Sequence, residues 1–215
     1  MDFEERLRRA RPTSRAQYLR IKAVSLAHTG NEIGAVELLE RVTREYPDEW
    51  VQVAPSYELL GELHRNAGDL VGAEQAFRAC IAASPTLNAT TGEARIALGE
   101  VLLEHGITRA DEVAQLLTES RDDGRLNTSV FRWNLLSARL AAVLGDAETA
   151  KLAAEGALAL IDAPPQFSRH LTVGVVTPPA ELVAELERLA RPDLNAADGT
   201  QGASRRWRLW RRRSD

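Results

Sequence analysis

Four histidines, one cysteine and 31 acidic residues are the side chains of this 215-residue chain able to move protons, attack an electrophile or hold a metal. An imidazole titrates near neutrality, a thiolate is a nucleophile and metal ligand, and paired carboxylates share general acid–base work. Each of these chemistries needs its groups at set spacings, and the spacings are absent. The chain has no HExxH pair, no CxxC pair, no phosphate loop of the GxxxxGK type, no GxGxxG and no GxSxG. His28 and His105 stand beside turn glycines at expected helix ends, where the helix dipole favours a partly positive ring. His64 falls inside an expected helix, and Cys80 takes a small inward position on another, as an inert core thiol. The acidic residues read as solvated helix faces. The sequence therefore predicts a protein that is not an enzyme, with no catalytic residue, metal or cofactor.

The charge distribution points to binding instead. The chain carries 27 basic and 31 acidic residues, a formal net charge of -4. Residues 204–215 hold six Arg and one Asp, or +5, which leaves 21 basic and 30 acidic groups, or -9, on the rest. An acidic body thus ends in a basic tail. Hydrophobic residues make up 44% and aromatics only 5%, with Ala and Leu prominent, which suits packed helices better than sheets. A single cysteine permits no internal disulfide. The charged start MDFEERLRRA has no apolar signal core, and no run of 18 apolar residues exists. Together these predict a cytoplasmic location. Lys22 and Lys151 are the only lysines, an arginine bias that fits a GC-rich bacterial genome.

Those side chains must be positioned by helices, and the helices repeat. With Ala35 aligned on Ala73, Leu39 falls on Phe77, Val42 on Cys80 and Pro47 on Pro85. Upstream, Gly30 falls on Gly68, Leu26 on His64, Ala23 on Gly61 and Leu19 on Tyr57, a period of 38. A divergent third copy has Leu98-Gly99, Leu102 and Gly106, with a second helix expected over Asp111–Thr118. A fourth runs from Trp133 through Ala138, Ala141 and Gly145 to Ala150, Ala154 and Ala157, and ends at Pro164-Pro165. Small residues let paired helices approach, large ones fill the gap, and glycine leaves a helix through positive φ. Ser14, Thr90 and Thr108 each precede an acid or amide by three residues, as capping boxes do; Asp69 and Asp146 follow turn glycines as N-caps. Asp2-x-x-Glu5 offers a start for a short N-terminal helix over 1–13. Pro55 belongs either in the first turn of its helix or at a kink after an extra turn over 48–54.

This arrangement resembles the tetratricopeptide repeat family, over residues 14–165. The resemblance implies an all-α solenoid of about four helix pairs forming a right-handed superhelix. Beyond it, Leu171–Val176 reads as an extended segment packed on the repeats, and Leu182, Val183, Leu186, Leu189 and Ala190 form the stripe of a capping helix ending at Arg191-Pro192. Residues 193–204 read as a flexible linker.

In that family the first helix of each pair lines a concave groove that holds a partner peptide or helix. The resemblance therefore implies groove positions: Gln17, Arg20, Val24 and His28; then Glu58, Leu59, Glu62, Arg65 and Asn66; then Glu93, Ile96, Glu100 and Glu104; and last Arg132, Leu135, Leu136 and Arg139. The middle of such a groove is acidic. A family subset clamps a partner's C-terminal carboxylate with Lys and Asn; here Val24, Leu59 and Glu93 take those places, so a basic or amphipathic protein partner is expected. The alternative is that the glutamates are a solvated face only.

The tail sets Trp207, Leu209 and Trp210 among Arg205, Arg206, Arg208, Arg211, Arg212 and Arg213. It suits docking on an acidic surface, or an anionic membrane with Arg on headgroups and Trp at the interface. Nucleic acid ranks last, because the body charge of -9 opposes it. A solubilising end without structure is the remaining reading.

Overall fold

A computed structural model describes residues 3–124, 126–161 and 163–191. The described residues are all helical in their regular structure, with no strand among them. The α-helices are α1 (Phe3–Arg9), α2 (Arg15–His28), α3 (Glu32–Glu45), α4 (Trp50–Asn66), α5 (Leu70–Ala83), α6 (Ala94–His105), α7 (Ala110–Glu119), α8 (Asn127–Val143), α9 (Ala147–Leu158) and α10 (Ala180–Ala190). Short 3-10 turns at Pro12–Ser14 and Ile107–Arg109 precede α2 and α7. The chain divides into two compact units, Met1–Val101 and Leu102–Asp215, with the division inside α6.

Three helix hairpins share one turn chemistry. Gly30, Gly68 and Gly145 take φ of 79°, 78° and 74°, the left-handed conformation that ends a helix cheaply only at glycine. The residue after each glycine returns its N–H to the carbonyl five back: Asn31 to Leu26, Asp69 to His64 and Asp146 to Ala141, each at 2.9 Å. The same residues then cap the next helix. Asn31 accepts from Gly34 N–H at 3.0 Å, Asp69 from Gly72 N–H at 2.9 Å and Asp146 from Thr149 N–H at 3.1 Å. The expected third copy differs because Gly106 takes φ 125° and leads into a 3-10 turn, with no such cap.

In the first unit, α2 packs on α3, and α4 on α5 and α3. Leu19, Ala23, Ala35, Leu39 and Val42 are fully buried in the core between them. Gly61 of α4 lies against the Phe77 ring of α5: a Cβ at Gly61 would stand 2.6 Å from Phe77 Cε1. This is the small-against-large fit that lets the helices approach. In the second unit α8 packs on α9, and α10 covers both. Leu186 of α10 is fully buried with Ala138, Ala154 and Ala157, while Leu182, Leu189 and Ala190 flank it. Trp133 Nε1–H donates to the Leu117 carbonyl at 2.9 Å, tying α8 to α7.

Several expectations are corrected. Ser14 lies at the end of a 3-10 turn and makes no side-chain cap on α2; Thr108 sits inside another, and Arg109, which caps nothing, precedes α7. Thr90 accepts from Gly92 N–H within the loop rather than from a helix N–H. Pro55 lies inside a continuous α4 that begins at Trp50, so the extra turn is part of the helix. Leu171–Val176 is not extended throughout: residues 171–174 form a turn with Leu171 and Val173 exposed, and only Val176 reaches the core. Asp2, Pro192, the linker over 193–204 and the tail lie outside the described residues.

Candidate functional site

The site is best built from the loop between α5 and α6, residues 84–93. Three of its residues take left-handed φ: Leu87 at 53°, Ala89 at 66° and Gly92 at 84°. Such a conformation costs a non-glycine residue about 1–2 kcal/mol. Burial of the Leu87 side chain holds it in place. Further ties come from Leu87 N–H to the Ser84 carbonyl at 2.8 Å and Thr90 Oγ1–H to the Leu87 carbonyl at 2.6 Å. Arg95 Nη2 also donates to the Pro85 carbonyl. The loop brings Ala89, Thr90, Thr91 and Glu93 up to α2 and α4.

Together they enclose a concavity of about 560 Å³ lined by Arg20 and Val24 of α2, by Pro55, Glu58, Leu59 and Glu62 of α4, and by Ala89, Thr90, Thr91 and Glu93. Six of the positions expected from the repeat phase, Arg20, Val24, Glu58, Leu59, Glu62 and Glu93, meet here. Pro55, Ala89, Thr90 and Thr91 were not anticipated at the site. Thr90 carries the sequence signature of a helix start, and nothing in its spacing says that the loop turns back onto α4.

Glu58 differs most from its expected role. It is not a freely solvated groove charge: only 7% of the residue is exposed. Its carboxylate accepts Thr91 N–H at 2.9 Å and Thr91 Oγ1–H at 2.8 Å. Burial pushes its carboxyl pKa above the usual 4.5; the two Thr91 bonds oppose this, and the Glu93 charge adds to it. Glu100 is likewise buried, and it is paired with Arg65 Nη1. Ile96 is 1% exposed and Leu135 and Leu136 are buried, so these three are core residues rather than contact residues. Helix periodicity identifies a face but not how deeply each residue on it is buried, and the 84–93 loop covers Glu58.

The remaining expected positions disperse. Arg20 Nε donates to Gln52 Oε1 at 2.8 Å, which fixes its guanidinium at the edge of the concavity. Gln17, His28, Asn66 and Glu104 are exposed, and Arg132 is half-buried. Arg139, in the second unit, makes a two-pronged bond to Glu185 of α10, with both distances 2.7 Å. That pair holds the Glu185 carboxyl below its usual range. Arg205, Arg206, Trp207, Arg208, Trp210, Arg211, Arg212 and Arg213 of the tail lie outside the described residues.

Cys80 is fully buried, and desolvation pushes its thiol up to about 12, with the Glu58 charge acting in the same direction. His64 Nδ1 lies 2.9 Å from Asp69 Oδ2, a contact at the α4–α5 turn. Among the described residues no three His, Cys, Asp or Glu side chains are placed to hold a metal ion, and no helix is long and apolar enough to cross a membrane. No protein-family model matches the chain, and no curated protein matches it.

Proposed function

We propose that the first unit captures a basic or amphipathic peptide segment of another protein in the concavity between α2, α4 and the 84–93 loop, as a non-enzymatic adaptor. The observation that carries this reading is the convergence of Arg20, Val24, Glu58, Leu59, Glu62 and Glu93 on one concavity. Val24, Leu59 and Pro55 give it apolar anchor points, and Glu62 and Glu93 against the one Arg20 guanidinium give it a negative balance. Apolar anchors supply affinity and the charge supplies selectivity and encounter rate. The resemblance to tetratricopeptide repeats supports the same use of this face, as does the shared glycine and cap chemistry of three hairpins. The inert thiol and the dispersed histidines favour binding over catalysis.

The test is an unbiased selection of displayed random peptides on the full chain. Enriched peptides are expected to carry a positive net charge beside an aliphatic residue. They are expected to lose about tenfold or more in affinity on the Glu62→Lys, Glu93→Lys double variant, at roughly 1.4 kcal/mol per tenfold. Enrichment of acidic peptides, or binding indifferent to the double variant, contradicts the proposal.

A second reading rests on the tail, where six Arg and two Trp fall within residues 205–213. Such a segment is suited to reversible attachment to an anionic bilayer, at about 1 kcal/mol per basic residue. Removal of residues 204–215 then abolishes binding to phosphatidylglycerol vesicles. Unchanged vesicle binding by the truncated chain contradicts it.

A further inference from the structure

A second concave surface lies on a different face of α2. Tyr18, Ile21, Lys22 and Ser25 recur at three- and four-residue spacing and so form one stripe, whereas Arg20 and Val24 face the concavity described above. Phe3 and Arg6 of α1 complete a cleft of about 500 Å³. The Phe3 and Tyr18 rings stack with centroids 6.0 Å apart. Leu7 is buried, and Arg15 Nη2 donates to the Arg8 carbonyl at 3.0 Å, so α1 is fixed to the body. It is too short to finish the task. Seven residues of α1 reach about 10 Å and fourteen of α2 about 21 Å, at roughly 1.5 Å per residue. Beside α1, Ile21 is left 55% exposed and Tyr18 39%.

The charge on this cleft identifies what covers it. Arg6 and Lys22 flank the apolar floor, and among the described residues neither side chain makes an ion pair or hydrogen bond. A second copy of the chain docking here face to face would bring two Arg6 and two Lys22 together, which repels. The chain's own Arg-rich tail is excluded for the same reason. An anionic bilayer suits the two cations but presents a flat face, whereas the apolar floor lies inside a concave cleft. The open floor also leaves one side of any occupant in water, as suits a helix rather than an enclosed acyl chain. We propose that the α1–α2 cleft is a docking site for an acidic amphipathic peptide segment, with its apolar side on Phe3, Tyr18 and Ile21 and its carboxylates on Arg6 and Lys22. This site is independent of the first, and opposite in charge preference. The chain then links a basic partner to an acidic one.

The experiment uses the full chain and a fluorescein-labelled amphipathic peptide of about 16 residues, roughly four helical turns, with Leu and Phe on one side and Glu on the other. Anisotropy at low salt is expected to report binding that weakens as salt rises. Arg6→Glu with Lys22→Glu, and separately Ile21→Asp, are each expected to weaken it about tenfold or more, with unchanged circular dichroism. The Glu62→Lys, Glu93→Lys variant is expected to retain it, which separates this site from the first. Absence of binding to the parent chain, or binding indifferent to both cleft variants, overturns the proposal. So does loss of phosphatidylglycerol vesicle binding in the cleft variants without any peptide binding, which makes the cleft a membrane face. Sedimentation showing a dimer that the Ile21→Asp change dissolves overturns it in favour of a self-association surface.

Discussion

The Glu58 carboxylate receives both the backbone N–H and the hydroxyl of Thr91, 33 residues further along the chain, at 2.9 and 2.8 Å. One side chain of α4 thereby fixes the loop that closes the concavity. The arrangement accepts the cost of burying a carboxylate, offset in part by two donors to it; hydrogen bonds to a charged group contribute about 1.5–3 kcal/mol each.

That cost has a pH signature. The folded Glu58 carboxyl keeps its proton to higher pH than the unfolded one, whose ordinary value is 4.5. The stability it contributes is fully present below the unfolded value and is lost as pH rises through the raised folded value. Glu58→Gln keeps an acceptor for Thr91 N–H and carries no charge. The variant is expected to gain stability relative to the parent chain as pH rises through that window, measured by urea unfolding from about pH 3 to about pH 8. A constant difference across the range contradicts the burial account.

The Arg139–Glu185 pair predicts the opposite slope. The Glu185 carboxyl is held below its usual 4.5, by the Arg139 hydrogen bonds above all, so its contribution is present above the unfolded value and lost as pH falls through the folded one. Glu185→Gln is expected to destabilise the chain at neutral pH by about 1 kcal/mol, since the pair is partly solvated, and by less in acid. Loss of α10 protection in amide exchange checks that the effect is local.

Gly61→Ala is expected to destabilise the chain by about 1–3 kcal/mol, because the new methyl group meets the Phe77 ring. Combining it with Phe77→Leu is expected to cost less than the sum of the two single changes. Strict additivity in that double-mutant cycle shows that the two residues do not share one space.

The turn chemistry separates true caps from apparent ones. Asp146 accepts Thr149 N–H at 3.1 Å and Thr149 Oγ1–H at 2.8 Å, so Asp146→Ala is expected to cost about 1 kcal/mol in thermal or urea unfolding. Ser14→Ala, which removes no cap bond, is expected to change stability by less than about 0.5 kcal/mol.

These contrasts show where sequence was informative. The glycine pairs Gly30–Gly68 and Gly145, and the caps at Asp69 and Asp146, were legible because a left-handed turn and an orphan helix N–H each accept few residue types. The caps at Ser14 and Thr108 were misread because 3-10 turns intervene, and nothing in those tripeptides separates one helix start from the other. The face of α4 was named through the resemblance to tetratricopeptide repeats. Its depth was not: Glu58 and Glu62 both lie on it, yet Glu58 is buried by a loop whose path depends on Leu87 and Ala89 taking positive φ. No propensity scale assigns that conformation to Leu or Ala. For the same reason Thr90 read only as a helix-start residue, and Thr91 drew no reading.

The measurement that tests the central claim most directly is an amide chemical-shift titration of the full chain with a basic peptide recovered by selection. The account predicts that the largest shifts fall at Val24, Leu59, Glu62 and the 89–93 segment, with Thr91 N–H prominent because Glu58 accepts it. Large shifts elsewhere, with Leu59, Glu62 and Thr91 stationary, contradict it.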